Sequence, residues 1–255
     1  IINSTTYTKI TIAQTATDVK SQHDKVFRGP NFEVDSLKYI LGYRFATSST
    51  VAHWYINKKL SNRHTLKAGL INNYYKLNLI DSSRQYPPSL QTWQHRLNFN
   101  GGTNLLQAYL QYKYRPSDAL TFTAGLHGQY LTHSRSKALE PRVAMKYTPN
   151  ETNVFSMGYG LHSQLQPLYQ YFAVLPSNPV TSMHNYDIDF TRSHHAVAGY
   201  EHVFSRTLKL RSEVYYQYLF NVPIEQRAGS SFSGLNQGTS FSRLFPDTLV
   251  NAGTG

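Results

Sequence analysis

The sequence contains no cysteine in its 255 residues. That excludes disulfide scaffolds and thiolate metal sites, and it suits export through an oxidising compartment. Nor is there an apolar run of the roughly 20 residues that a membrane helix needs, and mean hydropathy is -0.46. A helical membrane protein is therefore excluded, whereas a β-barrel is not, because alternating strands average to a polar composition. No segment has the helical period that would let it cover a sheet face. Motifs for a nucleophile elbow, a zinc protease helix, a phosphate loop or a dinucleotide fold are missing as well. No catalytic residue and no cofactor are expected. The chain opens on Ile1 without a signal peptide and stops in a polar stretch at Gly255. It reads as a piece of a longer exported protein, so the missing signal carries no information.

What the chain does have is aromatic residues and positive charge. Aromatics make up 14% of it, with 20 Tyr and 13 Phe, as favoured in strands and at membrane interfaces. The net charge is +11. The basic residues are scattered over turns and strand faces, with no block and no recognition helix, so nucleic acid is not expected as a partner.

The clearest pattern runs from Leu139 to Phe172. Phe155, Met157, Tyr159, Leu161 and Leu165 alternate with small or polar residues, which is the period of two of a strand with one apolar and one wet face. Leu139, Val143, Met145 and Tyr147 do the same in the segment before it, and the turn residues Pro149 to Thr152 join the two as a hairpin. Similar strands are predicted at Ser4–Thr17, Val51–Leu60, Thr65–Ile80, around Leu106–Arg115 and Leu120–Tyr130, and on either side of Ser205 and Arg206. Long loops are expected at Asp18–Ser49, which carries Gly29 and Pro30 and some strand extension around Leu37–Phe45, and at Asp81–Asn104, Pro167–Ser193 and Asn221–Gly255. About nine strands thus alternate short turns with long loops, as in an outer-membrane barrel. The wet face bears Lys113, Arg115, Glu140, Arg142, Lys146, Glu201, Lys209, Arg211 and Glu213, charges that no sealed core would hold. The fold class is all-β, a segment of a transmembrane antiparallel barrel.

The segments LLQAYLQYKYRPSDALTFTAGLHGQYL, SKALEPRVAMKY, YGLHSQLQPLYQYF and YQYLFNVPIE resemble the barrel region of TonB-dependent outer-membrane receptors of the Bacteroidetes type. The resemblance runs from about Val51 to the end. It implies a barrel of about 22 strands closed by an N-terminal plug, of which residues 1–255 form one part, with plug and remaining strands outside this chain. It also implies outer-membrane location with extracellular loops, energy from the TonB complex, import of a scarce or bulky nutrient, and a surface lipoprotein as a further partner beside membrane lipid and the plug. Two other readings fit the alternation: a passive porin-like barrel and a soluble carbohydrate-binding β-sandwich.

Candidate binding residues lie where the wet face runs into the loop after Gln166. His162, Gln164, Gln166, Tyr169 and Tyr171 stand at the barrel mouth, able to hydrogen-bond or stack on a solute; holding the loop against the wall is the competing role. Lys113, Arg115, Glu140, Arg142, Glu201, Arg211 and Glu213 are expected to face the lumen or plug, with pairing among themselves as the alternative. His184, Asp187, Asp189, His194 and His195 are chemically competent metal ligands, but their spacing matches no established site, and no metal is expected. Tyr130, Tyr159, Tyr216, Tyr218 and Phe220 are expected in the interfacial girdle.

Overall fold

The computed structural model describes residues 3–84, 93–175, 183–236 and 245–255. Its core element is one antiparallel sheet of nine strands in sequence order. These are β1 (Thr6–Arg28), β2 (Val34–Lys59), β3 (His64–Ser83), β4 (Gln94–Tyr114), β5 (Leu120–Leu131), β6 (Lys137–Tyr147), β7 (Asn153–Gln164), β8 (Thr191–Val203) and β9 (Lys209–Phe220). A short helix α1 (Leu168–Tyr171) and a small two-stranded sheet, β10 (Val222–Glu225) with β11 (Leu249–Gly253), lie outside it. No described helix is long and apolar enough to cross a membrane.

Two of the expected long loops are largely strand. The segment 18–49 forms the far halves of β1 and β2, closed by a tight turn over Gly29 to Glu33 in which Gly29 N–H donates to the Glu33 carbonyl at 3.0 Å. Within 81–104, β3 runs on to Ser83 and β4 begins at Gln94; residues 85–92 of that expected loop lie outside the described residues. The tail after Asn221 carries β10 and β11, and its last residue, Gly255, exchanges both backbone hydrogen bonds with Leu219 at the edge of β9.

The reason for the misreading is physical. At the short-turn end the sheet follows one polarity rule. Leu70, Leu110, Leu126, Val143, Met157 and Val214 on one face are 44 to 75% exposed, while Lys67, Gln111, Gly125, Arg142, Gly158 and Glu213 share the other. At the long-strand end the faces trade roles. Leu77, Leu79, Leu97 and Leu105 are buried on the face that carries Lys67 and Gln111 lower down, while Lys76, Asn78 and Asn100 look outward with Leu70 and Leu110. The strands β1 to β4 have 23, 26, 20 and 21 residues, about twice the 9–11 that cross a bilayer. Their lower halves present apolar side chains outward, as lipid requires, and their upper halves present polar ones, as water requires.

The buried core sits on the inner face of those projecting halves. Leu77, Leu79, Leu97, Leu105 and Leu131 pack against Tyr171, Phe172, Ile188 and Phe190 from α1 and the loop after it and against Leu249 of β11. The Phe172 and Phe99 rings stack with centroids 3.7 Å apart, and His133, in the β5 to β6 turn, lies 4.2 Å from Phe172 and 4.4 Å from Tyr186. We call this packed lid the cap.

Burial lowers the His133 imidazole from its ordinary 6.5, partly offset by the hydrogen bond its ring donates to the Tyr171 backbone carbonyl. An unfolded cap therefore takes up the proton first, so cap stability is unaffected above pH 6.5 and falls as pH drops below it. Amide exchange across Leu168–Phe172, corrected for intrinsic rates, is expected to accelerate on going from about pH 7.5 to about pH 5.5. His133→Phe should remove that acceleration; if it persists, another group carries the acid response.

Candidate functional site

Strand alternation and the observed register place a continuous polar and aromatic belt across the face opposite the exposed apolar one. It starts on β2, where His53 Nε2 lies 3.1 Å from the Tyr109 hydroxyl of β4. Lys67 of β3 stands over the Tyr55 and Tyr109 rings, its Nζ 4.6 and 5.8 Å from their centroids, a favourable placement of a cation on an aromatic face. Gly69 permits this: a Cβ there would sit 2.6 Å from Tyr109 Cζ. Gly69→Ala is expected to push Tyr109 off the wall and part it from His53, at a cost of about 1–3 kcal/mol. The companion Gly69→Ala/Tyr109→Ala should recover most of the stability in a denaturant titration, and no recovery would mean that the ring is not what Gly69 accommodates.

The belt continues through Gln107, whose Oε1 lies 3.1 Å from His127 Nε2, and His127 Nδ1 meets Glu140 Oε2 at 3.0 Å. Glu140 is the focus. Its side chain is 1% exposed and also accepts from the Ser163 backbone N–H at 3.0 Å, from Gln129 Nε2 and from Arg142 Nη2. A buried carboxylate is tolerable only with this number of donors. Beyond Arg142 come His162 and His195, ring centroids 5.9 Å apart, and then Tyr215, 6.1 Å from His195. At the short-turn end Glu201 pairs with Lys209 and, at 3.8 Å, with Arg211, which also binds Glu213 at 2.6 Å. Lys113 and Arg115 end the same face of β4.

All seven charged residues expected to face the lumen or plug therefore share one face, and five of them pair with one another or with neighbours on it. The mouth residues divide. His162 is half-buried in the belt, and Gln164 is exposed at the top of β7. Gln166 is buried and donates to Thr191 Oγ1 at 2.7 Å. Tyr169 lies between Phe45 and Phe245, with centroids at 5.6 and 5.7 Å, and Tyr171 is fully buried, which pushes its phenol well above the ordinary value.

The His and Asp residues weighed as ligands do not converge. His184 Nε2 lies 3.2 Å from the Pro246 carbonyl, Asp189 accepts from Arg192 at 3.2 Å, His194 meets the Tyr159 hydroxyl at 2.7 Å, and His195 sits in the belt. Among the described residues no three His or carboxylate side chains are grouped to hold a metal ion. The sequence places Gln107, His127 and Gln129 on the wet face without marking them as site residues, and it does not single out His53, Lys67 or Tyr109. The signal available for them was parity alone, since each falls in phase with the charged positions of its strand.

No protein-family model matches the chain, and no curated protein matches it in sequence. Its fold is nevertheless that of solved outer-membrane transporters. A copper transporter, OprC, is 9% identical, with a TM-score of 0.61 over 91% of this chain and 39% of its own. The outer-membrane transporter YddB from Escherichia coli is 9% identical, with a TM-score of 0.61 over 87% of this chain and 33% of its own. The FrpB iron transporter from Neisseria meningitidis is 12% identical, with a TM-score of 0.55 over 94% of this chain and 39% of its own. The chain thus spans well under half the length of each. The nine-stranded sheet has the fold of a segment of such a transmembrane β-barrel.

Proposed function

We propose, from a fold shared with outer-membrane transporters, that this chain is part of the barrel wall of a TonB-dependent receptor importing a scarce or bulky solute. The observation that carries the reading is the exchange of polarity between the two faces. Below it the wall meets lipid outside and a hydrated lumen inside; above it the wall stands in water and is closed from within by the cap. In this reading the cap end is extracellular, the short turns are periplasmic, and residues 1–255 belong to a single barrel domain. The plug, the remaining strands and the segment that TonB grips belong to parts of the protein outside this chain.

The belt supplies the lumen lining. Glu140, held by Arg142, His127 and Gln129, fixes three strands in register and leaves His162, Gln164 and His195 facing the channel below the cap. Tyr169, Tyr171 and Gln166 hold the cap on the wall, and they become solute contacts only when it opens. Lys113, Arg115, Glu201, Arg211 and Glu213 face the plug at the periplasmic end. A surface lipoprotein would dock over the cap. The chain performs no covalent chemistry in this scheme, which leaves binding and movement.

The test is the full-length protein recovered from the outer-membrane fraction in detergent and placed in a planar bilayer. The expected result is a mass far above the 29.1 kDa of this chain and a barrel closed to ions at rest. A steadily open conductance would establish a passive porin instead, and a soluble species of 29.1 kDa would establish a self-contained sandwich.

A further inference from the structure

The belt face is lopsided in charge. On the strands at and below the belt it carries Lys9, Lys67, Lys113 and Lys146, none of which has an ion pair among the described residues. Its carboxylates are already engaged. Glu140 is 1% exposed and held by His127, Gln129, Arg142 and the Ser163 N–H, while Glu201 and Glu213 are taken by Lys209 and Arg211. Among the described residues of those strands, this face therefore presents unpaired cations and no unpaired carboxylate.

One place on it gathers hydrogen-bond donors. Gly160 of β7 pairs with Arg142 of β6 on one side and with His195 of β8 on the other, and His162 follows two residues along β7 on the same face. A Cβ at Gly160 would stand 2.8 Å from His162 Nε2 and 3.3 Å from Arg142 Cγ. Only glycine lets the imidazole and the arginine stem lie over this strand together. The His195 ring meets the His162 ring edge-on, at 70° with 5.9 Å between centroids, and Tyr215 stands beyond it at 6.1 Å. Arg142 gives Nη2 to Glu140 and is 46% exposed. Among the described residues its Nε and Nη1 have no partner, and neither have the ring nitrogens of His162 and His195.

We propose that Arg142, His162 and His195 form a subsite for an oxyanion borne by the imported solute, a carboxylate or a phosphate. The inference deepens the receptor reading above and rests on it, since it takes this face as the lumen. Arg142 keeps N–H groups beyond the one given to Glu140, and planar guanidinium donors suit two oxygens of one such group. Each imidazole donates through the nitrogen that carries its proton. Lys146, farther along β6 on the same face, stands about 13 Å from Arg142 at 3.3 Å per residue. With Lys113 it offers a second anionic group a station toward the short turns. A confined wall of one sign also concentrates anions before they bind, and an uncharged solute would make no use of that field.

The experiment titrates the detergent-solubilised full-length protein by calorimetry, with citrate, inorganic pyrophosphate and maltotriose as probes in metal-free buffer. At least one of the two anions is expected to bind, and the sugar to bind at least about tenfold more weakly. His162→Phe/His195→Phe should weaken the anion at least about tenfold, through the loss of two hydrogen bonds to a charged group. Arg142→Lys, which keeps the charge and loses the planar donors, should weaken it less. Lys76→Ala, which removes an exposed cation from the opposite face, should leave it unchanged. Heat-modifiable migration verifies that each variant is folded. Binding of citrate alone would identify a polycarboxylate solute, binding of pyrophosphate alone a phosphorylated one, and either supports the subsite. No anion binding by the folded protein, anion binding that survives loss of both histidines, or sugar bound as tightly as the anions overturns it. The receptor reading is scored separately by bilayer conductance: a steadily open barrel that still binds the anion through His162 and His195 would retire the receptor and keep the subsite.

Discussion

Val143→Arg is expected to deplete the protein from the outer membrane almost completely. Val143 is 54% exposed on the apolar face of β6, midway between Lys137 and Tyr147, with Ala124 and Tyr159 beside it. A guanidinium at that depth has no water and no carboxylate in reach, and arginine at the midplane of a barrel costs about 2–4 kcal/mol. Assembly intermediates are held by margins of that size, so the loss should appear as a fall in heat-modifiable, membrane-integrated protein and a rise in degraded chain. Lys113→Ala, on the other face, should insert as the native protein does. If the two variants exchanged behaviour, the inside and outside of the wall would have to be exchanged too.

The second large effect is expected at Glu140. Glu140→Ala leaves Arg142, His127, Gln129 and the Ser163 N–H aimed at a carboxylate that is gone. Arg142 is 46% exposed and can turn to water, so the loss comes from the buried donors of His127, Gln129 and the Ser163 N–H left without an acceptor, at about 1–3 kcal/mol. The urea midpoint of the detergent-solubilised full-length protein should drop accordingly, with unchanged slope. A neutral variant would show that water reaches the network and that the belt is not a structural clasp.

How much of this was readable beforehand follows from the polarity rule. From Leu106 onward each strand keeps its apolar face to one side, and alternation alone placed the second half of β4 and β5 to β9 and put Glu140, Arg142 and Arg211 on the same face. In β1 to β3 and the first half of β4 the rule reverses partway along. Around Thr47 the outward positions turn to Ser, Thr and Ala while inward ones gain Phe45 and Tyr43, so a window spanning the change averages to nothing. The segment 18–49 consequently looked irregular. The belt was hidden for another reason: its contacts join residues 13, 20 and 56 apart in sequence, and only the register decides which of many in-phase polar side chains meet. Tyr171 shows the same limit, since its place in a loop does not reveal that the loop folds back into a core.

The reversal of faces along β1 to β4 also acts as a waterline. Raising the wall by one cross-strand step would lift Ile12, Ala52 and Leu106 into water, and lowering it by two or three would draw Lys76 or Asp18 with Arg44 into hydrocarbon. The protein thus floats at a set draught, and a bilayer of another thickness must stretch or thin to meet it, at fractions of a kcal/mol per Å. Local membrane thickness around this wall is a property that its sequence imposes on the lipid.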